Sequence, residues 1–190
     1  MKEGKLIVIS GISGAGKSSI YKAMVEKYDN YVVSISKTTR SPRKNETDGV
    51  DYFFCSKEAF EEAIEKNELI EYARYLDNYY GTPRAYVEQQ LAEGKDVILE
   101  IEVQGAFQIK EKFPDAILVF VAAPSLDETI SRLSNRGTEP QNIIDERIRR
   151  GREEFELRKY YDIVLVNDDF EKSVERLNNY IQERNFQKEI

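Results

Sequence analysis

Five residues near the start of the chain have the types and spacing to grip a phosphate. Gly11, Gly14 and Gly16 lead into Lys17 and Ser18, and the stretch Gly11–Ser18 spells G-x-x-x-x-G-K-S. Glycines let a backbone turn sharply and face its N–H groups inward around an anion, with no Cβ in the way. Lys17 would reach the β- and γ-phosphates of a nucleotide, and the Ser18 hydroxyl would bind Mg²⁺. Without the right neighbours the same letters describe only a glycine-rich turn with a chance lysine. The neighbours are right: Leu6 to Ile9 is an apolar, strand-sized run, and Ile20, Met24 and Val25 (with Tyr21 and Tyr28) recur at helical spacing over 18–28.

Three further groups carry chemistry. Arg40 and Arg43 lie in a polar stretch broken by Pro42 and Gly49. Two guanidinium groups in a rigid loop fork onto one phosphate, since their geometry matches phosphate oxygens in pairs; the plainer alternative is a solvated basic loop. Tyr52, in the strand-like 50–54 segment, either donates to a phosphate or packs. Glu100 and Glu102 close the apolar run Val97–Ile101, and alternate positions put both carboxylates on one side of a strand, placed to hold Mg²⁺ directly or through water. The alternative there is a pair of solvated acids. Arg132 and Arg136 sit one helical turn apart, and Arg147, Arg149, Arg150 and Arg152 follow on a second helix. Such an arginine-rich pair reads as a lid over a triphosphate, or as surface arginines paired with Glu146, Glu153 and Glu154.

The elements that must position these groups alternate along the chain. Strands are expected at 32–36, 69–75, 97–101, 116–121 and 162–167. Helices are expected at 57–67, 84–93 (stopped by Gly94), 103–112, from 124 to about 136, and 170–184, where Val174, Leu177 and Ile181 share a face. Asn78–Pro83 reads as a turn. Glu71 lies in the 69–75 strand, facing opposite to Ile70. Alternating strands and helices give a parallel sheet covered on both sides. The fold class is therefore α/β: a five-stranded parallel core of the P-loop NTPase type, 1–35, 95–124 and 160–190. It carries an inserted α+β lobe at 36–94, long enough to recognise a substrate, and a helical lid at 125–159.

Composition bounds the partners. The chain has 190 residues, enough for one domain with a well-buried core, and a net charge of −7. With a pI near 5.0 it lacks the broad basic face of a general nucleic-acid binder, while its local arginine clusters suit small phosphates. One cysteine, Cys55, permits no internal disulfide and suits a reducing cytoplasm, and with no histidine it leaves no zinc set. No apolar run is long enough to cross a membrane, and the N-terminus enters the first strand too soon for a signal peptide. The oligomeric expectation is monomer or homodimer.

Several separated motifs together resemble the guanylate kinases, a family of P-loop nucleoside monophosphate kinases. They are Gly11–Ser18, Thr38-Thr-Arg-Ser-Pro-Arg43, Gly49-Val-Asp-Tyr52, Ile70-Glu71, Tyr80-Gly-Thr82, Gln104-Gly105, Arg136-Gly137 and Asn167-Asp168, and they span nearly the whole chain. The resemblance implies transfer of a phosphoryl group from MgATP to GMP. It implies ATP contacts from Gly11, Ser13, Gly14, Ala15, Gly16, Lys17, Ser18 and Ser19, with Asn167 near the adenine. It implies GMP contacts from Ser36, Arg40, Arg43, Tyr52, Glu71, Tyr80, Thr82, Glu100 and Glu102. Within that set the arginines and tyrosines take the 5′-phosphate, and Ser36, Glu71 and Thr82 read the guanine. Lys17, Arg40, Arg132, Arg136 and Arg147 are the implied catalytic cations, and Ser18 and Glu100 the implied Mg²⁺ ligands. The family pattern has Pro where Ile12 stands, Thr at Ser19, and aspartates at positions 100 and 102. Two other readings remain: a kinase for a different phosphorylated acceptor, and a weakly active or non-catalytic binding module of the same fold.

Overall fold

The computed structural model describes residues 3–75, 77–125, 128–129, 131 and 141–183, with the side chains of 141–144 and 147 outside that description. Nine strands among the described residues arrange themselves in two sheets. In chain order they are β1 (Leu6–Gly11), β2 (Tyr31–Val33), β3 (Lys37–Thr38), β4 (Phe53–Phe54), β5 (Leu69–Tyr75), β6 (Asn78–Pro83), β7 (Asp96–Glu100), β8 (Ile117–Ala122) and β9 (Ile163–Val166). The described helices are α1 (Lys17–Lys27), α2 (Lys57–Glu65), α3 (Arg84–Ala92), α4 (Val103–Lys112), α5 (Gln141–Leu157) and α6 (Phe170–Glu183), with a 3₁₀ turn at Arg158–Tyr160.

The larger sheet is parallel, five-stranded and ordered β2-β7-β1-β8-β9, as the alternating pattern requires. All six residues of β1 are buried, which is why it reads as an unbroken apolar run rather than an alternating one. The smaller sheet is ordered β4-β3-β6-β5 and is mainly antiparallel. By contact density the chain forms two compact units: residues 1–8 with 30–116, and 9–29 with 117–190.

In the first unit α2 buries Phe60 and Ala63 against Leu69, with Cys55, Ile64 and Tyr79 packed around them. Phe60 stacks on Tyr79 at 5.4 Å. In the second unit α1 packs against α6, which buries Val174, Leu177 and Ile181 together with Ser173. Of the apolar positions expected on the inner face of α1, Ile20 and Met24 are fully buried, but Val25 is exposed.

The structure corrects three local expectations. Asn78–Pro83 is not a turn but β6, paired on both sides. Its two breaker residues have other reasons to be there. A Cβ on Gly81 would come within 2.9 Å of both Leu69 and Phe60, so the glycine lets the strand lie close over the α2 core. Pro83 ends the strand and precedes α3, where its missing N–H costs nothing. The strand expected at 32–36 stops at Val33, and the chain re-forms as β3 in the other sheet. The alternation argument for Glu100 and Glu102 fails because β7 ends at Glu100, while Glu102 already occupies the N-cap position of α4. Ile70 and Glu71, adjacent in β5, are both buried, and the β5–β6 register shifts between Leu69 and Glu71.

Candidate active site

The glycine loop between β1 and α1 has the conformation its spelling requires. Gly11, Gly14 and Gly16 hold φ angles of 132°, 89° and 94°, a region that L side chains rarely enter. Gly16 is the N-cap of α1, so the helix opens at the loop with its first-turn N–H groups and positive dipole end. Two braces fix the loop from its own unit. The Asn167 amide, buried at the end of β9, donates to the Ala15 carbonyl at 2.9 Å. Gly151 of α5 lies so close that a Cβ there would stand 2.8 Å from Ile12 Cγ2. The Lys17 ammonium donates to the Gly11 carbonyl at 2.7 Å and the Ile12 carbonyl at 3.2 Å, which holds its charge at the loop. Ser13 and Gly14 are half-buried, Ala15 is buried, and Ser18 and Ser19 lie exposed in the first turn of α1.

The first unit carries the second group of expected residues. The Arg40 guanidinium is not solvated: its two terminal nitrogens donate to the two Glu46 oxygens at 2.9 and 2.8 Å. It also lies 5.3 Å from the centre of the Tyr52 ring. Tyr52 meets Tyr80 edge-on at 6.0 Å. Arg40, Tyr52 and Tyr80 therefore form one cluster. Arg43 is different, with its side chain 60% exposed and 3.8 Å from Glu46. Burial, then the Glu100 carboxylate, pushes the Tyr52 phenol up to about 12, so it stays a hydrogen-bond donor at neutral pH. The Arg40 hydrogen bonds hold Glu46 below its ordinary value.

Glu71 is the most unusual acid described. It is 2% exposed, and its Oε1 accepts from the Thr82 hydroxyl at 2.5 Å. Burial pushes its carboxyl up to about 7; Thr82 and Lys112 pull it down, and Glu102 adds a smaller upward push. Thr82 and Ser36 are buried as well. Glu100 ends β7 half-buried. Arg149 and Arg150 of α5 pair with Glu146, and Arg149 also with Glu153, so these two follow the surface reading. Arg132, Arg136 and the Arg147 side chain lie outside the described residues.

Sequence reasoning missed Glu46, whose signal was one acid placed three and six residues after two arginines in a basic loop. It also gave no role to Asn167 as a loop brace, or to Gly151, a glycine inside a helix where its only local effect is a cost of about 1 kcal/mol.

The chain as a whole has relatives among known proteins. The guanylate kinase family pattern matches residues 3–184. The chain belongs to the guanylate kinase family. It is 49% identical over 186 residues to the guanylate kinase of Enterococcus faecalis, covering 97% of this chain and 91% of that one. It is also 49% identical over 176 residues to the guanylate kinase of Halalkalibacterium halodurans, covering 93% and 86%. The crystal structure of guanylate kinase from Anaplasma phagocytophilum matches 98% of this chain and 88% of its own, with TM-score 0.81 at 29% identity. Membership in the guanylate kinase family places the nine strands within a P-loop NTPase fold and makes the protein an ATP:GMP phosphotransferase.

Proposed function

We propose that the glycine loop grips ATP while the 36–94 lobe holds GMP, and that the γ-phosphoryl group passes to the GMP 5′-phosphate, giving ADP and GDP. The observation that carries this division is the buried Glu71–Thr82 pair. Guanine offers N1–H and N2–H₂ as adjacent donors, and one ionised carboxylate accepts from both. Adenine lacks that donor pair and would leave a buried acid unsatisfied, which is strong discrimination.

The remaining roles follow from chemistry. The loop N–H groups and Lys17 balance the β- and γ-phosphate charge, with Asn167 fixing the loop beside the adenine end. Arg40, Arg43, Tyr52 and Tyr80 hold the 5′-phosphate, Arg40 exchanging part of its Glu46 pairing for a dianion of similar geometry. Ser36 completes the guanine-reading set, and Glu102 lies near it. The attacking phosphate oxygen is already anionic, so no general base is needed. Arg132, Arg136 and Arg147 clamp the phosphates from the lid.

Ser18 and Glu100 are the residues that would hold Mg²⁺. Hard oxygen donors suit it, and Mg²⁺ takes one or two protein ligands plus substrate phosphates rather than a dedicated cage. When bound, the ion neutralises charge on the β- and γ-phosphates.

The intact loop and Lys17 disfavour a non-catalytic module, and the guanine-reading set disfavours another acceptor. The protein works in the cytoplasm as a monomer or homodimer, without nucleic acid or membrane; no described helix is long and apolar enough to cross one. The test is a coupled ADP-release assay with MgATP and GMP, AMP, CMP, UMP or dGMP. Strong turnover preferring GMP is expected. Equal turnover with AMP and GMP, or ATP binding without turnover on any acceptor, would overturn the reading.

A further inference from the structure

β5 is the outer strand of the four-stranded sheet, with β6 on one side only. Its outward backbone groups flank Glu71, and side chains of α4 capture them. Lys112 Nζ donates to the Ile70 carbonyl at 2.6 Å. The Gln108 side chain takes both groups of Tyr72, donating from Nε2 to the carbonyl at 2.7 Å and accepting the N–H at 3.2 Å. A neighbouring strand would make the same pair of bonds, so one glutamine stands in for an absent strand. The third α4 residue on this side is Gly105. A Cβ there would run into the Glu71 carboxylate and stand 3.0 Å from its Cδ. Positions 105, 108 and 112 are spaced three and four apart, which is one helix face.

We propose that this face of α4 is the positioning template for guanine selection: Lys112 and Gln108 lock the β5 backbone on either side of Glu71, and Gly105 leaves the volume its carboxylate occupies. None of the three residues need touch the substrate. They act through Glu71, and their effect falls on which base is accepted rather than on phosphoryl transfer. A carboxylate tied to Thr82 on one side and held by the α4 face on the other has one place to sit, and two guanine donors require that place. A displacement of about 1 Å at such a site costs as much as a hundredfold. The proposal rests on Glu71 reading the guanine edge.

The test compares GMP with IMP, which keeps N1–H and lacks the 2-amino group, in wild type, Glu71→Gln, Gly105→Ala, Gln108→Leu, Lys112→Met and Lys112→Arg. Thermal melting establishes that each variant is folded. Gly105→Ala is expected to raise the GMP KM about tenfold and to shrink the GMP-over-IMP preference, with the ATP KM unchanged. Gln108→Leu and Lys112→Met do the same several-fold, and Lys112→Arg restores the preference. Both are partly exposed positions, so these variants carry the test even if Gly105→Ala fails to fold. If Glu71→Gln keeps the full GMP preference, the guanine-reading role of Glu71 fails, and the template with it. If Glu71→Gln loses the preference while the α4 variants keep it, or while they slow GMP and IMP equally, the template alone is overturned.

Discussion

The phosphate loop and the 36–94 lobe, the two halves of the proposed nucleotide site, are built by opposite means. The loop is built from backbone: three glycines at positive φ, a helix N-terminus, and one lysine held by loop carbonyls. The lobe is built from side chains, each held by another: Arg40 by Glu46, Glu71 by Thr82, β5 by Gln108 and Lys112. A backbone device tolerates any side chain that leaves its dihedrals alone. A side-chain device is only as accurate as its supports, so its failures spread to residues that never meet the ligand.

The contrast can be broken most sharply at its two centres. Lys17→Met should lower kcat on the order of a thousandfold and leave GMP binding intact, measured by steady-state rates and calorimetric titration of GMP. A parallel loss of GMP affinity would mean that the loop and the lobe are not separable devices. Glu71→Gln should raise the GMP KM on the order of a hundredfold with little change in the ATP KM, since the neutral amide cannot accept from both guanine donors.

The supports should give smaller effects. Glu46→Gln unties half of the Arg40 fork, and the GMP KM should rise about tenfold, by roughly 1–2 kcal/mol. Steady-state rates at fixed ATP check this, and an unchanged KM would show that Arg40 needs no support. The smallest effect belongs to the backbone device. Gly151→Ala improves local helix propensity but pushes on Ile12 at 2.8 Å. It should raise the ATP KM a few-fold, about 1 kcal/mol, without touching the GMP KM. Ile12→Ala in the same chain should reverse it.

The same contrast explains what was legible in the sequence. The loop was readable because its glycines and lysine are contiguous and the dihedrals belong to the residues themselves. The α/β alternation was readable because buried parallel strands are apolar runs. The lobe was readable only as a set of candidate names. Glu71 and Thr82 lie eleven residues apart and meet because β5 and β6 pair, and β6 was mistaken for a turn on the strength of Gly81 and Pro83. Glycine carries two messages that look alike in sequence: a turn, as at Gly14, or a close approach, as at Gly81, Gly105 and Gly151. Only packing separates them.

Glu71 also makes the protein sensitive to pH. Its carboxyl, at about 7 when folded and 4.5 ordinarily, holds its proton more tightly in the native state. Its contribution to stability is thus full below pH 4.5 and lost as pH rises through about 7. In the proposed site GMP capture would run the other way, because only the ionised carboxylate accepts from both guanine donors. Burial drives the upward shift, Thr82 and Lys112 oppose it, and Glu102 adds to it.

The most direct measurement is the GMP KM from pH 5.5 to 8.5 for wild type and Glu71→Gln, at saturating MgATP. The substrate's own phosphate titration is common to both and cancels in their ratio. The wild-type KM should fall as pH rises through about 7, relative to a Glu71→Gln reference without that step. Parallel profiles for the two proteins would contradict the claim that a buried, ionising Glu71 reads the guanine base.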